Sequence, residues 1–391
     1  MSTLAPSFES LLDAAHRISK EVSALHANDV DVKGRFPRES VEAMRQAKLM
    51  SAPVPRELGG SGCSMRQLAQ IVSALAPGCA SAAMVLTMHY SQVACLMRNT
   101  GGNPTLLQRV RELCEHQHLI ASITSEVGTF GDTRSSICAV ERFGDSYRLN
   151  KDATTGSYCA DADVILVTCR KAADAAANDQ CLVYNRRADL TLEQTSTWDT
   201  LGMRGTCSPG YKFSATGPID HVLPVDYAEI SAASMVPYSH ILWSALWMGI
   251  AAGAYGKAAQ YVRTLARKNP GTVPPQALPL AELNTRLQVI RQQILAIADE
   301  YDGFVAAGDK VESYSSLSWA LRMNNLKIST SEATPQIVIA ALQIVGIQGY
   351  KNDGPYAMGR PLRDALSGSL MVSNDRIAAK SAALLLVHKD D

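Results

Sequence analysis

The strongest constraint on this chain is a double change of hydrophobic period. Up to about residue 118 the apolar side chains recur at helical spacing, as in Leu11, Ala15, Ile18, Val22 and Leu25. Segments 65–97 and 104–116 continue that pattern, interrupted at 53–62 by two prolines and three glycines that cannot be helix interior. The period then shortens. Residues 119–125, 137–142, 146–149, 164–169, 181–184, 190–194 and 211–215 are short β-prone runs separated by turn residues. With no long helix between them, they predict a small β-domain closed on itself, a barrel or sandwich, rather than a parallel βαβ sheet. Helical spacing returns near Pro237. Leu280, Leu283, Leu287, Ile290, Ile294, Ile297 and Tyr301 form a 3-4-3-4 seam of the kind found in an antiparallel bundle or oligomer. Segments 314–332 and 334–346 and the tail after Pro361 complete a C-terminal four-helix bundle. The expectation is a mainly α protein with an N-terminal helical domain (1–118), a central β-domain (119–232) and a helical bundle (233–391).

Composition narrows the function classes. Lys+Arg and Asp+Glu are both 37, so no net field favours nucleic acid or an anionic membrane. No signal peptide or membrane-length apolar run is evident. Nine cysteines occur without a CxxC pair, which reads as free thiols in a reducing cytoplasm. His116 and His118 flank Gln117 without a third ligand, so no metal site is expected.

Residues 341–375 carry the most informative motif. An Ala-Leu-Gln-Ile run leads into Gly346-Ile347-Gln348-Gly349-Tyr350, and a further helix begins after Pro361 with Arg363-Asp364-Ala365. Glycines suit the helix stop because they tolerate positive φ. The pattern resembles the C-terminal signature of acyl-CoA dehydrogenases, and the α–β–α order resembles their architecture over nearly the whole chain. The resemblance implies a flavin-dependent fold. It places Gln343 and Gly346 at the ADP half of FAD, and Arg267, in Arg267-Lys268-Asn269-Pro270-Gly271, at the pyrophosphate of a neighbouring subunit. A guanidinium fork suits paired phosphate oxygens. The FAD site of that family spans two subunits, which implies a homodimer or homotetramer.

The β-domain opens with Thr124-Ser125-Glu126-Val127-Gly128, similar to the family's Thr-Glu-Pro-Gly motif. By that resemblance Ser125 lies at the flavin pyrimidine, with Thr124 beside it among the cofactor-binding residues, and Ser157, in Thr155-Gly156-Ser157-Tyr158, lies beside flavin N5. Hydroxyl donors suit that edge, because reduction builds negative charge there.

The same register puts Val372 where the family carries its catalytic glutamate. A positioned base contributes on the order of 10²–10⁴-fold. The helix entering the bundle, which carries the base in some members, has no Asp or Glu from Ile230 through Arg267. Asp375, three residues beyond Val372, reads as a surface cap or pair, and Asp364 as one half of a structural ion pair. The segment 155–161 also resembles flavin-dependent monooxygenases of the same fold, several of which place a histidine where His89 lies. Those enzymes need a dry pocket and a donor at the flavin rather than an α-carbon base.

The expected function is an FAD-dependent oxidoreductase acting at the CH–CH group of an acyl thioester or similar small molecule. One alternative is a reduced-flavin monooxygenase using FMN or FAD, with His89 and Ser157 in catalytic roles and a separate flavin reductase. The other is a non-catalytic flavin- or acyl-binding subunit. The dehydrogenase reading requires an electron-transfer partner.

Overall fold

The computed structural model describes residues 5–388. Helices α1 (Phe8–Ile18), α2 (Ala24–Lys33), α3 (Arg38–Gln46), α4 (Met65–Leu75), α5 (Ala80–Met97) and α6 (Pro104–His116) come first. The starts of α4 and α6 follow from the sequence. Ser64 and Gln67 form a reciprocal capping box, and Asn103 accepts from the amides of Thr105 and Leu106 ahead of Pro104.

Seven strands follow: β1 (Ile120–Ile123), β2 (Glu141–Phe143), β3 (Ser146–Ala153), β4 (Val164–Arg170), β5 (Gln180–Arg186), β6 (Leu190–Gln194) and β7 (Tyr211–Pro218). They form two sheets, β1-β4-β5 and β2-β3-β7-β6. The described residues contain no closed barrel, and β1 pairs parallel to β4. Two sheets form because β4 and β5 are apolar on both faces. Val164, Leu166, Leu182 and Tyr184 pack with Val93, Val110 and Leu113 of the helices. Ile165, Val167, Cys181 and Val183 face the other way, in a core shared with Tyr147, Leu149 and Phe213 of the second sheet. The Tyr147 hydroxyl spans the two layers, donating to Asn185 Oδ1 of β5 at 2.7 Å. The run at 137–142 becomes a strand only from Glu141, since Ile137 and Cys138 donate their amides to the Glu126 carboxylate instead.

The helical remainder comprises α7 (Tyr227–Ile230), a π-helical turn (Ser231–Met235), α8 (Val236–Lys268), α9 (Ala277–Ala306), α10 (Val311–Ser315), α11 (Leu317–Val345), α12 (Ile347–Tyr350), α13 (Gly359–Leu366) and α14 (Asn374–Leu385). Helix α11 packs on α8, α9 and α14. The apolar seam of α9 is spent inside this bundle, with Leu283, Leu287, Ile290, Ile294 and Tyr301 buried. Segments 314–332 and 334–346, expected as two helices, are mostly one. Helix α11 runs through Pro335, and the hydroxyls of Thr330, Ser331 and Thr334 bond carbonyls of the preceding turns around it. It stops at Gly346, whose φ of 69° is open to glycine. All nine cysteines are free thiols. No helix among the described residues is long and apolar enough to cross a membrane.

Candidate active site

A cleft lies where α5, the ends of β1 and β3, the start of α8 and the α13–α14 connection meet. It has two lobes of about 200 and 480 Å³, which share Met88, Thr124, Thr155, Ser157 and Val372. Helical spacing delivers one wall from each long helix. Met84, Met88, Ser91 and Gln92 share a face of α5, and Val236, Ser239, His240 and Trp243 share a face of α8. Trp198, Leu201, Met203 and Leu370 line the larger lobe.

The β-domain contributes hydroxyls. Ser125 Oγ accepts from the Thr155 amide at 3.1 Å, which ties the two hydroxyl loops together. Ser157 Oγ accepts from Ser208 Oγ at 2.8 Å, so its own proton stays available to the cleft. Glu126, the carboxylate of the same motif, points away. It is buried, accepts from the amides of Ile137 and Cys138, and lies 3.7 Å from Lys151 Nζ.

Val372 reaches the cleft on a loop fixed from behind. Lys327, fully buried in α11, donates to the Gly368 carbonyl at 3.0 Å and to Asn374 Oδ1 at 2.6 Å. On the other side Gly202 packs so closely that a Cβ there would meet the Arg363 carbonyl at 2.2 Å. Tyr158, Met203 and Val372 line the cleft with φ of 43°, 52° and 48°. That region costs an L-residue roughly 1–2 kcal/mol. Strain of this kind gathers where surrounding structure over-determines the backbone, as at ligand sites.

Among the described residues lining the two lobes there is no Asp or Glu, and the only full charge is Arg363. Arg363 pairs with Asp31. Asp364, expected in an ion pair, instead accepts the Met203 amide at 2.7 Å, and burial pushes its carboxyl up to about 6. Asp375 is exposed at the start of α14, outside the cleft.

The structure gathers Thr124, Ser125, Ser157 and Val372, but not His89. His89 is fully buried, with Nδ1 accepting from the Ile120 amide at 3.0 Å and Nε2 facing the Met50 carbonyl at 2.9 Å. The Ile120 donor fixes the tautomer: Nε2 carries the proton. Burial pushes the ring down to about 4. Its neighbour Met88 takes the cleft position, so the expectation that His89 faces a flavin gives way to a core joint between α5 and β1.

Gln343 lines a separate cavity of about 370 Å³ with Gln276, Arg286 and Ile344. Gly346 ends α11, and Arg267 is exposed at the end of α8 without a protein partner among the described residues. The residue missed from the sequence is His240. It lines the cleft, is 6% exposed and stacks on Trp243 with centroids 5.8 Å apart. Its sequence signal is a Ser239-His240 pair on an otherwise apolar helical face.

Residues 6–110 match the acyl-CoA dehydrogenase N-terminal domain, and residues 232–372 the acyl-CoA dehydrogenase C-terminal domain. The chain is 23% identical over 344 residues to a 3-(aryl)acrylate reductase of Clostridium sporogenes, covering 86% of this chain and 87% of that protein. It is 26% identical over 366 residues to the mitochondrial short-chain specific acyl-CoA dehydrogenase of Homo sapiens, covering 87% and 80% respectively. The FMN-bound TdsC of Paenibacillus sp. A11-2, a dibenzothiophene monooxygenase, shares the fold with a TM-score of 0.82 at 19% identity. That match covers 97% of this chain and 98% of TdsC. The chain belongs to the acyl-CoA dehydrogenase family of flavin-dependent oxidoreductases.

Proposed function

We propose that this flavoenzyme is a reduced-flavin-dependent monooxygenase of a small organic substrate. The observation that carries the reading is Val372 on the cleft wall, together with the lack of any Asp or Glu among the described lining residues. Removing the α-proton of a thioester needs a base within hydrogen-bond reach. Oxygenation needs instead a shielded cleft and a hydroxyl donor. Met84, Met88 and Trp198 supply apolar shielding, and Ser157 supplies the donor.

The donor set fits a flavin. Thr124, Ser125, Thr155 and Ser157 would hold the polar edge of the ring, and no carboxylate among the described lining residues opposes the charge that builds there. When bound, the flavin would supply the two-electron chemistry, and in its reduced form the activation of dioxygen. Gln343 and Gly346 would hold the adenosine end of FAD. Arg267, exposed at the tip of α8, suits the pyrophosphate of a second copy in a homodimer or homotetramer. FMN, as bound to TdsC, would need only the cleft. A flavin reductase is the expected redox partner. The three segments 1–118, 119–232 and 233–391 are proposed as the domains that meet at the cleft.

The relatives at 23–26% identity keep a second reading, oxidoreduction of an acyl thioester or acrylate at a CH–CH bond with an electron-transfer partner. A panel of acyl-CoA thioesters added anaerobically to the flavin-loaded protein separates the two. The monooxygenase reading expects the oxidised flavin bands to persist with every thioester. Bleaching by any one of them overturns it.

A further inference from the structure

Among the polar atoms of the smaller lobe that make no hydrogen bond within the fold is one ring nitrogen of His240. Ser239 Oγ lies 3.1 Å from both the Val236 carbonyl and Nδ1 of His240, and the tautomer that satisfies both contacts has the hydroxyl donating to Val236 and the ring proton on Nδ1. The other ring nitrogen, Nε2, is thus a bare lone pair. It has no protein partner among the described residues, and unlike Gln92 Oε1 and Trp243 Nε1 it is not a sealed polar atom. A ring more than nine-tenths buried, with its acceptor open to the lobe, lacks the hydrogen bond that buried polar groups normally make.

The surroundings define what would complete it. Burial, with Lys327 in the neighbourhood, pushes the imidazole down to about 3, so it stays neutral and accepts rather than attracting anions. No Asp, Glu, Lys or Arg is among the described residues of this lobe. Trp243 and the sulfurs of Met88 and Met235 line it, and thioethers pack favourably on aromatic rings. We propose that His240 is the specificity residue of the cleft, its Nε2 accepting a hydrogen bond from the O–H or N–H of an uncharged aromatic substrate. The assignment rests on the reading of this cleft as the site of a small organic substrate.

The test is a binding comparison on the oxidised, flavin-loaded protein, so it needs no turnover. The probes are 2-naphthol and 2-methylnaphthalene, which match in size and differ in the donor. One buried hydrogen bond of about 1.4 kcal/mol predicts roughly tenfold tighter binding of 2-naphthol. His240→Phe should abolish that preference, and His240→Gln, which retains an acceptor, should restore part of it. Equal binding, or binding of neither probe, on the wild-type protein overturns the assignment without reference to any variant's folding. A preference unchanged in His240→Phe overturns it as well. A preference that persists in a protein without oxygenase chemistry would refute the monooxygenase reading alone.

Discussion

Substituting His89 by Asn tests whether this histidine is a structural joint or a cleft residue. Asn keeps an acceptor where Nδ1 receives the Ile120 amide, and loses the donor to the Met50 carbonyl. A buried carbonyl left unpaired costs about 1–3 kcal/mol, and the missing ring atoms add roughly 1 kcal/mol of lost packing. The variant should therefore be less stable by about 2–4 kcal/mol at pH 7.5.

The pH dependence makes the test sharper. The folded ring titrates near 4 against 6.5 for the free side chain. Between those values the unfolded chain binds more protons, so the wild-type protein loses stability as pH falls from 6.5 towards 4. The loss is about 2.5 kcal/mol by pH 4.5. His240 contributes in the same direction, and Asp364, raised to about 6, in the opposite one. Both are common to the two proteins and cancel in their difference. Urea unfolding from pH 7.5 to 4.5 should show the two stability curves converging. A gap that stays constant with pH refutes the buried neutral imidazole. Unchanged stability with lost turnover would return His89 to the active site.

Two further outcomes follow from the cleft's backbone. Val372→Gly should raise stability by about 0.5–1 kcal/mol, because a β-branched residue at φ 48° is strained; a lower unfolding midpoint would show that the loop is not held as described. Gly202→Ala should cost about 1–3 kcal/mol and weaken flavin retention, since its Cβ would collide with the Arg363 backbone; wild-type stability would refute the close packing of the β-domain on α13.

The order of helices, strands and helices was legible because a half-buried helix and a strand impose different periods on the same apolar residues. The β-prone runs at 164–169 and 181–184 are the strands β4 and β5, and both of their faces are covered. The cleft hydroxyls Thr124, Ser125 and Ser157 were legible through the motif that places them at strand ends. What failed depended on tertiary context. Segments 314–332 and 334–346 were expected as separate helices, but packing of α11 against α8 and α9 carries one helix through Pro335. His89 and Met88 are adjacent, and only the rotation of α5 decides which one faces the cleft. The open ring nitrogen of His240 depends on Ser239 meeting Nδ1, a contact that only the folded helix specifies. Asp364 looked like the partner of an arginine, yet backbone geometry gives it the Met203 amide while Arg363 reaches Asp31.

On the proposed reading this cleft serves dioxygen chemistry at a reduced flavin rather than proton abstraction from a thioester. The most direct measurement is to reduce the flavin-loaded protein photochemically without air and mix it with oxygenated buffer in a stopped-flow spectrometer. The expected result is a transient spectrum, distinct from both reduced and oxidised flavin, that decays before the oxidised bands return. Direct single-step reoxidation with no such species would contradict it.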